Sequence, residues 1–300
     1  MVSFDPAFKR GVFFVERTVT RAEKKQPGLL RRAWSVVRLV LIACLAVVLL
    51  AMLFENSLIF HPDPHPSGDW QPVGLAFEDV FFEAEDGTAL HGWYMKHPAP
   101  QAYVLFSHGN AGNITHRAEM VQILRDRCQV SVLIYDYRGY GRSEGKPNEH
   151  GVIADGRAAR QRLAELAGIE SADVVLLGRS LGGAVAVALA TEEKPRALVL
   201  ESTFSSMPEV AKHHFPWLPT KMLMRTRLNS AERIGDYEGP LLQSHGTRDE
   251  IIPFEIGKKL FAAAPPGKKE FFEIPGGRHN DMPTKAYVNR LKTFLADLPD

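Results

Sequence analysis

The chain has 300 residues, which is enough for one large domain with a buried core and an additional tail. Its composition, 45% hydrophobic and 24% charged, is that of a globular protein and excludes a disordered or fibrous chain. The 36 basic and 35 acidic residues give a net charge of +1, and no basic excess marks the body of the chain, so a nucleic-acid partner is not expected. Cys44 and Cys128 share no zinc-like spacing with histidine, and we expect neither a metal nor a cofactor.

An uncharged apolar run occupies residues 39–54, near the N-terminus. It is slightly shorter than the roughly 20 residues that span a bilayer, but apolar residues on both sides extend it. We therefore predict a single transmembrane anchor over residues 36–60. A cleaved signal peptide is the alternative, but a long basic stretch precedes the run and no Ala-x-Ala site follows it. A buried core helix is disfavoured because the run has no polar face.

The charges beside this run predict its orientation. The next basic residue after the run is Lys96, whereas nine basic residues precede it: Lys9, Arg10, Arg17, Arg21, Lys24, Lys25, Arg31, Arg32 and Arg38. Because positively charged flanks remain in the cytoplasm, residues 1–35 are predicted to be a cytoplasmic tail. The catalytic domain of a single-pass membrane protein would then lie outside the cytoplasm.

A stretch rich in proline, glycine and aspartate follows at residues 61–74 and predicts a linker. Its histidines, His61 and His65, could be imagined as metal ligands, but a prolyl loop with chance histidines is the favoured interpretation. From residue 75 to residue 300, short apolar runs alternate with amphipathic segments. This alternation indicates a mainly parallel central sheet flanked by helices on both faces.

The predicted elements follow in chain order. Asp86-Gly87 between residues 79–83 and 90–95 indicates a hairpin. The other predicted strands are residues 103–107, 130–135, 174–177, 197–200, 241–244 and 270–274. The predicted helices are residues 118–127, 149–167, 181–191, 253–263 and 284–295.

Residues 204–236, hereafter the insert, interrupt this alternation with three prolines, two adjacent histidines, Trp217 and a methionine-rich stretch. An insertion after a strand of a parallel sheet lies over the carboxyl ends of the strands, where ligands bind. We therefore interpret the insert as a small lid that lines the substrate site. Ordinary packing of helices against the domain is the alternative, and the sequence favours neither.

A candidate nucleophile follows the apolar run at residues 174–177. Ser180 lies in Gly178-Arg179-Ser180-Leu181-Gly182, and an alanine-rich helical stretch comes next. This strand–turn–helix context is the one that a G-x-S-x-G nucleophile elbow requires. The turn is sharp, so the residues two places away must lack side chains, and the serine hydroxyl is presented at a helix N-terminus.

A serine nucleophile needs a base and an acid, which in this kind of fold follow it in the order acid, then histidine. Asp249 and His279 fit, because each lies just after a predicted strand and so at the same sheet edge as Ser180. His279 would act as the base, and Asp249 would orient it. The rival residues are Asp236 and Glu250 as acids, His245, His213 and His214 as histidines, and Asp281 beside His279.

The oxyanion of a tetrahedral intermediate needs two donors. One is the backbone N–H of Leu181, which follows the nucleophile. The second is expected from the glycine-rich loop at residues 108–113, after the strand at residues 103–107, and we assign it to the N–H of Asn110. A plain glycine turn is the alternative interpretation of this loop.

Together these motifs resemble the α/β-hydrolase superfamily, and within it the membrane-anchored ABHD-type and serine aminopeptidase-like hydrolases. The resemblance covers residues 75–298, and an LIFHP-like stretch after the apolar segment is also similar. It rests on HGNAGN at residues 108–113, DYRGYGRS at 136–143, GRSLGG at 178–183, HGTRDEIIP at 245–253 and GGRHND at 276–281. The resemblance implies the α/β-hydrolase fold and a Ser-Asp-His triad. It leaves the substrate open, since such proteins include esterases, lipases, thioesterases and peptidases.

The resulting expectation is a membrane-tethered serine hydrolase that cleaves small-molecule or lipid-like carboxylic esters through an acyl-enzyme. A peptidase or a lipid thioesterase is the enzymatic alternative. A pseudo-hydrolase that serves as a binding module is the non-enzymatic one, which an intact Ser180, Asp249 and His279 disfavour.

Overall fold

The computed structural model describes residues 28–299 and contains one eight-stranded sheet. The strands of this sheet lie side by side in the order β1-β2-β4-β3-β5-β6-β7-β8. The pairs β1–β2 and β2–β4 are antiparallel, and the remaining five pairs are parallel, as the alternating pattern predicts. The strands are β1 (Glu78–Glu83), β2 (Ala89–Met95), β3 (Ala102–Ser107), β4 (Val130–Asp136), β5 (Val175–Arg179), β6 (Ala197–Glu201), β7 (Leu241–Gly246) and β8 (Lys269–Ile274).

Helices cover both faces of this sheet. The helices are α1 (Leu29–Leu53), α2 (Glu55–Ile59), α3 (Ala118–Arg127), α4 (Glu149–Ala167), α5 (Leu181–Glu192), α6 (Met207–His214), α7 (Thr220–Leu223), α8 (Ser230–Arg233), α9 (Phe254–Ala263) and α10 (Lys285–Ala296). Side chains of α4, α5 and α9 pack on one face, while those of α3 and α10 pack on the other. Successive side chains of a strand point to opposite faces of the sheet, so both faces of β4 are apolar. Leu133 and Tyr135 pack on the face covered by α4, α5 and α9, and Val132 and Ile134 pack on the face covered by α3 and α10.

The chain divides into two compact units after Leu49. The first unit contains most of α1. Over Ala33–Leu53 this helix is long and apolar enough to cross a membrane, and its most apolar stretch is not buried against the rest of the protein. Residues 1–27 of the predicted basic tail lie outside the described residues. The second unit runs from Leu50 and holds the sheet.

The apolar helix ends earlier than the predicted anchor at residues 36–60. Helix α1 stops at Leu53, and the separate helix α2 follows. Phe60 is only 2% exposed and belongs to the core of the second unit. The sequence could not separate the two because Leu58, Ile59 and Phe60 are apolar for either purpose.

Residues 61–74, predicted as a linker, are held against the second unit. Pro62 pairs with Gly112 and Pro64 with Gly141 in isolated parallel bridges. The Asn113 amide donates to the carbonyls of Asp63 and Ser67 at 3.0 and 2.9 Å. A proline-rich composition indicates an irregular backbone, but it does not reveal these partners, which lie about fifty or more residues away along the chain.

The insert leaves β6 and returns to β7, and it contains α6, α7 and α8. Phe204, Leu228 and Ile234, near its two ends, are buried in the core. Phe215, Trp217 and Met222 in its middle are exposed. The two ends of the insert therefore pack as ordinary core, while the interpretation of the insert as a lid that lines the substrate site stays a prediction.

Candidate active site

Ser180 is the single residue between strand β5 and helix α5. Its backbone has φ +54° and ψ −118°, a strained conformation for a residue with a side chain. Side chains on either flanking glycine would collide with backbone, since a Cβ at Gly178 would lie 2.2 Å from the Gly182 carbonyl oxygen, and one at Gly182 1.9 Å from that of Ser107. The two glycines therefore permit the sharp turn that presents the serine hydroxyl, as the sequence predicts.

His279 and Asp249 lie next to this serine. The Ser180 Oγ is 3.0 Å from His279 Nε2, and His279 Nδ1 is 2.7 Å from Asp249 Oδ2. A neutral His279 in this geometry donates from Nδ1 to the carboxylate and accepts the serine proton at Nε2. Because β5, β7 and β8 are parallel, the loops after them meet at one edge, which brings together residues up to 99 positions apart.

Asp249 is held as a carboxylate. Burial acts to raise its pKa, but the neighbouring His245 ring, the hydrogen bond and charge interaction with His279 and the N–H of Ile252 outweigh burial and hold the pKa well below its usual range. The Asp249 Oδ1 accepts from the N–H groups of Ile251 and Ile252 at 3.0 and 2.7 Å. The side chain thus has fixed partners on one oxygen and offers the other to His279.

His245, a rival in the sequence, braces this loop. Its Nε2 donates to the Ile252 carbonyl at 2.8 Å and lies 3.4 Å from Asp249 Oδ2. Asp236 and Glu250 are exposed, and the Asp281 carboxylate accepts from the N–H of Arg278. Of the candidate acids, Asp249 is the one that the structure places on His279.

The predicted oxyanion donors lie on two sides of Ser180. Leu181 is the first residue of α5, so its N–H has no acceptor within the helix. The loop at residues 108–113 also approaches the serine, since a side chain at Gly109 would touch Ser180 Cβ at 3.5 Å. The two segments from which the donors were predicted therefore flank the nucleophile.

His108 fixes the peptide that carries the N–H of Asn110. It is fully buried, and burial lowers its pKa to about 3, so it is neutral near pH 7. Its Nδ1 donates to the Gly109 carbonyl at 2.7 Å. In a planar trans peptide the N–H points opposite to the C=O, so this bond also sets the direction of the Asn110 N–H.

The Asn110 side chain is used for a different purpose. Its amide donates to the Ile59 carbonyl, and its oxygen accepts from the N–H of His61 at 3.1 Å and the Tyr140 hydroxyl at 2.7 Å. The segment that follows the apolar helix therefore holds the loop beside Ser180. Nothing local in the sequence signals this contact, because its partners are 49 and 51 residues apart.

Arg179 has a place that its position in the elbow motif did not reveal. Its guanidinium donates from Nη2 to the carbonyls of His279 and Asp281 at 2.7 and 2.9 Å. It thereby joins the serine turn directly to the loop of the histidine. Arg179, His108 and the segment at Ile59 and His61 were not given roles from the sequence, although the first two stand inside recognised motifs.

Metal ligation has no candidate cluster in the described part of the chain. Among residues 28–299, no group of three or more His, Cys, Asp or Glu side chains is arranged to hold an ion. His61 of the predicted prolyl loop instead donates from Nδ1 to the Ile59 carbonyl at 3.0 Å.

The chain is similar to known proteins in sequence and in fold. A family profile described as "Serine aminopeptidase, S33" matches residues 98–230. The α/β-hydrolase domain-containing protein WAV2 of Arabidopsis thaliana is 34% identical over 79% of this chain and 84% of its own length. The chain belongs to the α/β-hydrolase superfamily.

This hydrolase is also similar to a yeast protein described as the uncharacterized membrane protein YNL320W, with 34% identity over 75% of this chain and 81% of that protein. Among solved structures, an esterase of Pyrococcus furiosus superposes with a TM-score of 0.65 at 20% identity, covering 79% of this chain and 99% of the esterase. At that identity the superposition establishes the shared fold.

Proposed function

We propose that this α/β hydrolase is a serine esterase that uses Ser180, His279 and Asp249 as a catalytic triad. The observation that carries the proposal is the unbroken series of hydrogen bonds from Ser180 Oγ to His279 and on to Asp249, at 3.0 and 2.7 Å. A binding module has no need of a strained serine aligned with a base and a buried carboxylate, which disfavours the pseudo-hydrolase alternative.

The reaction proceeds in two stages. His279 Nε2 takes the proton of Ser180 while Oγ attacks the ester carbonyl carbon, and the carbonyl electrons move onto oxygen. The N–H groups of Leu181 and Asn110 stabilise this oxyanion. As the tetrahedral intermediate collapses, His279 returns the proton to the leaving alcohol, and the acyl group remains on Ser180.

Water completes the cycle. His279 takes a proton from a water molecule as that water attacks the acyl carbon, and the resulting intermediate releases the acid while the proton returns to Ser180. Asp249 keeps Nδ1–H directed toward itself and stabilises the imidazolium in both stages.

The choice of an ester rests on the surroundings of the triad. Ile251 and Met282, two and three residues beyond Asp249 and His279, expose large apolar side chains. Such a rim suits an uncharged acyl or alcohol group. The family profile described as a serine aminopeptidase favours a peptidase as the second candidate, and the same triad serves amide cleavage.

We propose further that α1 anchors the enzyme in a membrane, with the catalytic domain outside the cytoplasm. The support is the apolar span over Ala33–Leu53 together with the basic residues that precede it. A reporter fused to the C-terminus should be active outside the cytoplasm, and cytoplasmic activity would contradict this orientation.

Hydrolysis of p-nitrophenyl esters by the full chain tests the function. Ser180→Ala should abolish turnover, whereas Ser202→Ala should retain it. Ser202 is a matched control, because it also follows a strand of the sheet and has positive φ, at 45°. Equal activity in both variants would contradict the proposal, and faster cleavage of aminoacyl amides than of esters would favour the peptidase.

A further inference from the structure

The membrane-spanning helix ends beside the insert. Helix α1 stops at Leu53, and its last four residues belong to the same compact unit as the sheet. The Met52 carbonyl accepts from Nη2 of Arg225 at 2.7 Å. The point where the chain leaves the apolar helix is therefore in direct contact with the insert.

Glu55 strengthens this contact. Its carboxylate is only 6% exposed and accepts from the N–H of Arg225 at 2.9 Å and that of Thr226 at 2.6 Å. Burial acts to raise the pKa of Glu55, but these hydrogen bonds outweigh burial and lower it. A buried carboxylate with such partners fixes residues 225–226 beside the start of α2, directly after the apolar helix.

Exposed apolar side chains concentrate in the segments that make these contacts and in the loops of the triad. In the insert, Trp217 is 72% exposed and Met222 is 83% exposed, and Phe215 is also exposed. Within residues 50–299, nine of the eleven exposed large apolar residues lie at the end of α1, in α2, in the insert or on the triad loops, and only Val73 and Phe81 lie elsewhere. A surface that were exposed by chance would scatter these side chains over the whole unit.

The insert also contacts the catalytic edge, by which we mean the sheet edge whose loops carry Ser180, Asp249 and His279. His214 donates from Nε2 to the Ile251 carbonyl at 2.9 Å, and Ile251 follows Asp249 by two residues. The insert thus touches the membrane exit at Arg225 and the loop of the catalytic acid at His214. Its exposed apolar residues at positions 215, 217 and 222 lie between these two contacts in the sequence.

The charge of the insert suits a phospholipid surface. The insert, residues 204–236, contains five basic and three acidic side chains, which gives it a net positive charge. Tryptophan beside lysine and arginine is typical of segments in the headgroup region of a bilayer, where apolar surface is buried and the cations meet phosphate.

We propose that residues 215–222 of the insert lie in the headgroup region of the membrane that α1 crosses, and that the triad consequently takes its substrates from the bilayer. The docking rests on the membrane anchor proposed above, and the substrate consequence rests in addition on the proposed esterase function. Substrates would then be lipid-like esters that reach Ser180 along the apolar rim without passing through bulk water.

Nitroxide accessibility in the full chain tests the docking. Trp217→Cys and Met222→Cys, each in a Cys44→Ala background, are spin-labelled and reconstituted in phosphatidylcholine–phosphatidylglycerol vesicles. Cys128 remains unlabelled, because it is buried and burial raises its thiol pKa to about 12. Val73→Cys is the control, since it is fully exposed and outside the cluster.

Labels at residues 217 and 222 should collide more often with oxygen, which dissolves in lipid, than with a water-soluble nickel complex. The label at residue 73 should show the opposite preference. Water-like accessibility at all three positions would overturn the proposal. This readout needs no turnover, so a failed docking and a failed esterase function are distinguishable.

A kinetic comparison tests the consequence for substrates. In a Trp217→Ser/Met222→Ser variant, the ratio of hydrolysis of a long-chain ester in vesicles to that of a short soluble ester should fall at least about tenfold. A Val73→Ser/Phe81→Ser variant should keep the wild-type ratio. An unchanged ratio in the first variant would contradict substrate capture from the bilayer.

Discussion

The catalytic edge and the insert are both built from segments that follow strands of the same sheet. They differ in how far their side chains are buried and hydrogen-bonded. At the catalytic edge, Asp249 and His279 are buried and each has a fixed hydrogen-bond partner. In the middle of the insert, Trp217 and Met222 are exposed. The comparison indicates that the sheet positions the groups that carry out the chemistry. In our proposal, the insert and the segment after α1 place the site beside the membrane.

After Ser180 itself, the largest effect should come from the acid of the triad. Asp249→Asn should lower kcat about 10³–10⁴-fold with little change in KM, because the histidine loses the partner that sets its tautomer. Asp236→Asn, which changes an exposed rival acid, should leave ester hydrolysis at the wild-type level. Steady-state kinetics on one ester distinguish the two, and a larger loss at residue 236 would contradict the assignment.

The elbow should be the next most sensitive feature. Gly182→Ala places a Cβ 1.9 Å from the Ser107 carbonyl oxygen, so backbone must shift and the free energy of unfolding should fall by about 3 kcal/mol or more. Gly235→Ala in the insert meets nothing within 4 Å and should change stability little. Denaturant titration of both variants measures the difference, and equal stabilities would contradict the steric account of the turn.

These two features were predictable from the sequence for a local reason. Gly178, Ser180 and Gly182 stand together in one motif, and Asp249 and His279 each follow an apolar run that predicts a strand. Alternating apolar runs and helices likewise predicted the mainly parallel sheet. Local patterns were sufficient wherever the residues that matter are close in sequence or are ordered by the sheet.

Contacts between distant segments were not predictable in this way. Glu55 meets Thr226 across 171 positions, and Arg179 meets the His279 carbonyl across 100. Residues 55–60 resembled a continuation of the anchor because the same apolar residue types occur in a protein core and on a lipid-facing helix. Their partners become visible only once the insert and the catalytic loops are folded onto the sheet.

Arg179 offers a sharper test within the catalytic edge. Arg179→Ala removes the donors that hold the His279 and Asp281 carbonyls, so kcat should fall about 10–100-fold through misplacement of the base. As a positioning residue, it should leave KM nearly unchanged, and lysine at the same position should restore part of the rate. Kinetics of both variants check this, and a loss confined to KM would instead indicate contact with substrate.

The smallest effect should come from the membrane-proximal clamp. Glu55→Gln weakens the bonds to Arg225 and Thr226 and should lower the free energy of unfolding by about 1–2 kcal/mol near neutral pH. The folded pKa of Glu55 lies below its ordinary value of 4.5, so its contribution is complete above that pH and is lost as pH falls through the lowered pKa. The difference from wild type should therefore narrow on acidification.

Thermal melts of the two proteins over a pH series measure this convergence. A constant difference at every pH would mean that Glu55 acts through packing and not through its charge. The clamp belongs to the region that we assign to the membrane, so its loss should affect stability before it affects the hydrolysis of soluble esters.

The central claim is that Ser180 is the nucleophile, and covalent labelling tests it most directly. The full chain is treated with a fluorophosphonate, digested and mapped by mass spectrometry. We predict one adduct on the peptide that contains Ser180, absent from Ser180→Ala and retained by Ser202→Ala. An adduct on another residue, or labelling that persists in Ser180→Ala, would contradict the account.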